Sequence, residues 1–135
     1  MAATVFEIRV LPPEELSLYG DRMGLIRIGD FVERFSCNDH FDLRVEDFEA
    51  HWRRELQRLL RGVSSVPLIH EPMFAWIVFR LGDECFVQQR MSVDCDFRVL
   101  SPRETISEDG LKISDWPVTL GAIQRFVDTE ESSHP

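Results

Sequence analysis

The stretch Phe74 to Arg90, FAWIVFRLGDECFVQQR, constrains the fold of this chain more than any other. Two apolar runs flank Gly82-Asp83, and a two-residue Gly-X loop is the signature of a tight β-hairpin in which the glycine takes a positive φ. That turn fixes the register: Leu81 is set against Glu84, Phe79 against Phe86 and Val78 against Val87. Successive strand residues point to opposite faces, so Phe74, Trp76 and Val78 lie on one side and Ala75, Ile77 and Phe79 on the other. Both sides are apolar, which predicts a central strand covered above and below. A chain with such a strand must supply two layers of packing around one sheet.

The rest of the sequence provides candidates for those layers. In TVFEIRV, Val5, Glu7 and Arg9 alternate with Phe6, Ile8 and Val10, the period of a half-buried strand. MGLIRIGDFVERFS reads as two more strands about a turn at Gly29-Asp30, and Pro12-Pro13 and Gly20-Asp21 mark connections. From Val45 to Arg61 the period changes. Val45, Phe48, Trp52, Leu56, Leu59 and Leu60 recur at steps of three and four, the stripe of an amphipathic helix ending at Gly62. Its acidic first turns and basic last turn suit the helix dipole, and its arginines, balanced by glutamates, read as a solvated face. After the polar stretch MSVDCDFRVLSPRE comes LKISDWPVTLGAIQRFV, which predicts a strand with Leu111 and Ile113 inward. A second helix should follow, with Asp115 capping the Val118 amide and Trp116, Leu120, Ile123 and Val127 buried. The order strands, helix, strands, helix without βαβ alternation indicates an α+β domain of antiparallel sheets. One domain is expected over residues 1–128, with 129–135 as a mobile tail.

Composition narrows the function. The 135 residues include 44% hydrophobic and 29% charged residues, ordinary for a globular chain, and no run is long and apolar enough for a membrane span. Nothing at the N-terminus resembles a secretion signal, so the cytoplasm is the expected location. Three cysteines, Cys37, Cys85 and Cys95, are an odd set in a chain large enough to fold without staples and read as reduced thiols. The formal net charge of −9 repels nucleic acid and anionic membranes and attracts a basic partner.

Chemistry is hard to assemble from these residues. Cys37, Asp39 and His40 lie close in sequence, but the carboxylate disfavours a thiolate, and Cys37 with His40 gives only half of a zinc set. Cys95 sits between Asp94 and Asp96. No phosphate loop, nucleophile elbow or dinucleotide fingerprint occurs. No enzymatic activity, metal or cofactor is expected, and the chain reads as a scaffold that presents a surface. The alternatives are a single-stranded nucleic-acid-binding module, which would need a basic groove with stacking aromatics, and a small enzyme or ligand-binding domain with a pocket of convergent polar groups.

Three stretches, FEAHWRRELQRLL, FAWIVFRLGDECFVQQ and EDGLKISDWPVTLGAIQRF, together resemble one group of immunity proteins from bacterial contact-dependent growth inhibition systems. The carriers of the resemblance are Trp52 with Leu56, Trp76, the Gly82-Asp83 turn before Val87-Gln88, and the run Asp109 to Trp116. The resemblance implies an antitoxin that stays in the cell and binds the C-terminal toxin domain delivered by neighbours, in a one-to-one complex. It also implies a fold similar to Whirly domains and a toxin that is a ribonuclease acting on ribosomal RNA. Trp52, Trp76 and Trp116 fall on apolar stripes and belong to the core, so contacts should come from exposed positions. By elimination the acidic residues Asp94, Asp96, Glu104, Glu108 and Asp109 are the candidate toxin-binding set, with Asp39 and Asp42 as secondary candidates.

Overall fold

In a computed structural model of the chain, which describes residues 2–133, two antiparallel sheets pack with two helices. The first sheet has three strands in order, β1 (Phe6–Val10), β2 (Arg22–Ile28) and β3 (Phe31–Cys37). The second has four, β4 (Ser65–Ile69), β5 (Phe74–Leu81), β6 (Glu84–Met91) and β7 (Trp116–Thr119), also in chain order. Helix α1 (Phe48–Leu60) links the sheets after a 3-10 turn over Val45–Asp47, and α2 (Leu120–Ser133) closes the chain. The α+β order expected from sequence is the one observed.

The hairpin has the predicted register: Leu81 faces Glu84, Phe79 faces Phe86 and Val78 faces Val87. Gly82 has φ +67° while Asp83 keeps a negative φ, which is the pattern of a type II′ turn. β5 is covered on both sides. Trp76 and Val78 join the main core with Phe48, Trp52 and Leu56 of α1 and Ile123 and Val127 of α2. On the other face Ala75, Ile77 and Phe79 meet Phe97 and Leu100. The polar-looking stretch after the hairpin therefore supplies the second layer, and Arg103 lies 3.7 Å over the Phe86 ring beside it.

Helix α1 ends where expected, with the Gly62 and Val63 amides donating to the Leu59 and Arg58 carbonyls, a Schellman closure. In the first sheet, Gly24 lies opposite Phe35, and an added Cβ would sit 2.5 Å from that ring. The missing side chain lets Phe35 cross β2 to reach Trp52 and Trp76. His70 ties the two sheets together. Its carbonyl accepts from the Asn38 amide at 2.9 Å, and its Nδ1 donates to the Ser36 carbonyl at 2.9 Å.

The exposed edges of the four-stranded sheet are largely closed. Ala3 bridges to β7, donating to Pro117 and accepting from Thr119. At β4, the Ile69 amide donates to His51 Nε2 at 3.1 Å and its carbonyl accepts from Trp52 Nε1 at 2.8 Å. The inward bonds of Ser64 and His70 place Pro67 with its amide-less nitrogen on that same outer edge.

The C-terminal third departs from the sequence reading. Leu111 is exposed rather than inward, and the strand there is Trp116–Thr119, so Trp116 belongs to β7 instead of the helix. It stacks on Phe31 at 4.1 Å. Thr119, not Asp115, caps α2, its hydroxyl accepting from the Ala122 amide at 3.1 Å. Asp115 instead accepts from Gln88 and Arg103. Pro117 explains the misreading: proline suits the first turn of a helix, but here it occupies an edge strand with its nitrogen facing Ala3. Helix α2 runs past the boundary drawn at residue 128, and the tail expectation for His134 and Pro135 lies outside the described residues.

Candidate functional site

Two loops at one end of the molecule carry most of the predicted acidic residues. Residues 40–43 form a tight turn in which His40 and Leu43 exchange backbone hydrogen bonds, leaving Phe41 and Asp42 at its tip. Residues 92–98 form a second compact turn. Asp94 accepts from the Ser92 hydroxyl at 2.6 Å and the Asp96 amide at 3.1 Å, and Cys95 takes φ +61°. A non-glycine residue rarely adopts that conformation, and here surrounding bonds hold it. One of them joins the loops: His40 Nε2 donates to the Cys95 carbonyl at 2.9 Å.

Asp39, Asp42, Asp94 and Asp96 are thus carried by two bonded neighbours, although the joined residues His40 and Cys95 are 55 positions apart in sequence. Their roles differ. Asp39 accepts from the Val45 amide at 2.9 Å and shapes the entry to α1. Asp96 is forked onto Arg98, whose hydrogen bonds hold its carboxyl down to about 2. Asp94 is also lowered, first by the Ser92 hydroxyl and then by the Asp96 amide. Arg98 feels Asp42 and Asp94 as well as Asp96, which places it among three carboxylates. Asp42 remains a presented charge at the tip.

The other predicted residues lie apart. Glu108 and Asp109 occupy an exposed projection in which Ile106 bridges to Lys112 and the Gly110 amide closes a turn onto Ser107. The Glu104 carbonyl accepts from Gln88 Nε2 at 2.6 Å. The five residues chosen by elimination do not form a single patch.

Between the paired loops, α1 and the outer edge of β4 runs a groove of about 1000 Å³. His40, Asp42, Asp94, Asp96 and Arg98 lie on one side and Arg54, Glu55 and Arg58 on the other. Beyond the 92–100 ridge a second hollow of about 260 Å³ is bordered by Met91, Val93 and Val99. Val93 and Val99 are 79% and 89% exposed. An acidic rim beside exposed apolar side chains and shallow hollows suits a protein surface.

The buried thiols and imidazoles are committed to structure. Burial pushes the Cys37 thiol up to about 12 and Cys85 to about 11, leaving both protonated at neutral pH. Burial also lowers His51 and His70 to about 4. His51 Nε2 accepts from Ile69, and His70 Nε2 is met by Gln89, so each ring works as a neutral hydrogen-bonding element. Among the described residues no group of three or more His, Cys, Asp or Glu side chains could hold a metal ion. Likewise, no described helix is long and apolar enough to cross a membrane.

Sequence reasoning missed Phe41, the role of His40 in joining the loops, and the apolar ridge. The only available signal was the apolar spacing of Phe97, Val99 and Leu100 inside a stretch dominated by charge. His40 could not be linked to Cys95 without the fold.

Comparison with known proteins gives two matches. The family model for the CdiI N-terminal domain matches residues 39–126. Among solved structures, a chain of the "CdiA-CT/CdiI toxin and immunity complex from Enterobacter cloacae" is similar in fold, with a TM-score of 0.74 at 21% identity over 95% of this chain and 99% of that one. No curated protein matches the chain.

Proposed function

The chain belongs to the family of the CdiI N-terminal domain, and on that footing we propose that it is an immunity protein that binds and neutralises the C-terminal toxin domain of a contact-dependent growth inhibition exoprotein. The family match across α1, the four-stranded sheet and the start of α2 carries this reading. The structural neighbour, which belongs to a toxin and immunity complex, supports it at the level of fold.

Inhibition in this proposal is by occupation. The protein acts in the cytoplasm, without catalysis, and forms a one-to-one complex in which the His40-linked loops face the toxin. The toxin is a ribonuclease, whose phosphate-binding surface must be basic. A partner of net charge −9 can cover such a surface and is drawn to it over long range. The same charge disfavours direct binding of RNA or single-stranded DNA. The groove itself mixes arginines with carboxylates, so its specificity would come from placement more than from bulk charge.

The direct test is co-expression with the toxin domain encoded beside this protein. Cells making both should grow, and the two chains should copurify in equal amounts. Continued growth arrest despite a folded, abundant immunity protein would refute the assignment.

A further inference from the structure

The connection between β1 and β2 presents Leu18 and Tyr19 at 101% and 92% exposure, clear of the protein's own packing. Two adjacent large side chains left wholly in water are unfavourable for an isolated protein, and this pair is not on a slack loop. The Gly20 amide donates to the Ser17 carbonyl at 3.0 Å, and the Ser17 amide donates to the Asp21 carbonyl at 2.9 Å. The Ser17 hydroxyl oxygen accepts from the Tyr19 amide at 3.2 Å and the Asp21 amide at 3.0 Å. The turn therefore holds Leu18 and Tyr19 out at little further entropic cost on binding.

The turn stands at the same end as the paired loops. Arg22, the first residue of β2, pairs with Cys37, after which the Asn38 amide bonds to the His70 carbonyl. Asp21 acts electrostatically on Glu71 in the turn between β4 and β5. Two residues on, the Met73 carbonyl accepts from the Ser92 amide, the first residue of the 92–98 loop. The β1–β2 turn, the 40–43 turn and the 92–98 loop are thus arranged around the β4–β5 turn.

Charge at this end is mostly negative. Glu15 is paired with Arg34, Arg98 is paired with Asp96, and Arg22 turns to the Leu11 carbonyl. Glu14, Asp21, Asp42 and Glu71 form no ion pair among the described residues. The turn also lies outside the 39–126 region matched by the family model. A feature in that position can distinguish one partner from another without disturbing what the family shares.

We propose that Leu18 and Tyr19 are the apolar anchor of the toxin interface, inserting into a pocket rimmed by Lys or Arg on the toxin domain and setting which toxin is recognised. This rests on the immunity reading and extends its contact surface from the two acidic loops to the β1–β2 turn. A rigid tyrosine with an aliphatic neighbour, ringed by charge, has the makeup of an interface hot spot.

The test measures binding of the purified cognate toxin domain to the wild type, to Leu18→Ala/Tyr19→Ala, and to Ile106→Ala/Leu111→Ala as an exposed apolar control on the separate projection. The anchor variant should melt like the wild type yet bind at least about 100-fold more weakly, chiefly through faster dissociation. The control should stay within about threefold, the range expected of peripheral contacts. Wild-type affinity in the anchor variant would overturn the proposal. So would a wild-type dimer that the anchor variant abolishes while toxin affinity is kept, because the pair would then serve a second copy of this chain. If the wild type fails to bind the toxin domain at all, the immunity reading falls, and the anchor with it.

Discussion

Acid should destabilise this protein well before its carboxylates are neutralised, through His51 and His70. Both are nearly fully buried, and both fall from an ordinary 6.5 to about 4 in the folded chain. Burial is the first cause in each case, with Arg54 and then His40 adding to it at His51. Between those two values the unfolded chain binds protons that the folded chain refuses, so stability is complete above pH 6.5 and is lost as pH falls toward 4. At pH 5 the proton linkage amounts to about 2 kcal/mol for each histidine, about 4 together. For a domain of this length that corresponds to a fall in Tm of about 14 °C. The structure gives the reason in bonds: protonating His51 at Nε2 removes the acceptor for the Ile69 amide and opens the edge of β4. Glu33 and Glu71 are raised by burial and act in the opposite sense, so the comparison must be made against a variant. Thermal melts from pH 7.5 to 5 on the wild type and His51→Gln/His70→Gln should show the wild type losing Tm steeply and the variant, less stable at pH 7.5, losing far less. Parallel curves would refute the argument, since they would mean that the histidines titrate alike in both states.

Three further outcomes are expected. Gly24→Ala should lower stability by about 1–3 kcal/mol in urea, because its Cβ would meet the Phe35 ring at 2.5 Å and force that ring off Trp52 and Trp76. Phe97→Ala should cost about 3 kcal/mol and speed protease cleavage within residues 92–103, because it removes the plug that holds this segment on β5. Association with the toxin domain, followed by stopped flow, should slow as salt rises while dissociation changes less; a salt-independent association rate would remove charge steering from the proposed mechanism.

The parts of the fold that could be read in advance are those where a local period and a local turn agree. The hairpin is one such case, with Gly82-Asp83 fixing pairs that the alternating residues confirm. Helix α1 is another, where stripe and closure at Gly62 coincide. The reading failed where two local rules competed at Pro117, a residue at home both at a helix start and on a sheet edge, and the Ala3 bridge that decided between them comes from the other end of the chain. The candidate site was legible only by residue type. Asp42, Asp94 and Asp96 could be named as exposed carboxylates, but the bond between His40 and Cys95 that groups them is long-range, as is the route from Asp21 through Glu71 to the 92–98 loop.

The closing of the β4 and β7 edges bears on how such a protein can be stockpiled. An immunity protein must be present before the toxin arrives, and so must persist in its unbound form. An open strand edge in that state invites pairing with other copies or with nascent chains. Here Pro67 withholds a donor, His51 and Trp52 occupy the groups of Ile69, and Ala3 takes those of Pro117 and Thr119. The waiting form can therefore accumulate with its sheet blunted against fibre-like growth, while the groups proposed to capture a partner are displayed on turns, where exposure carries no such template.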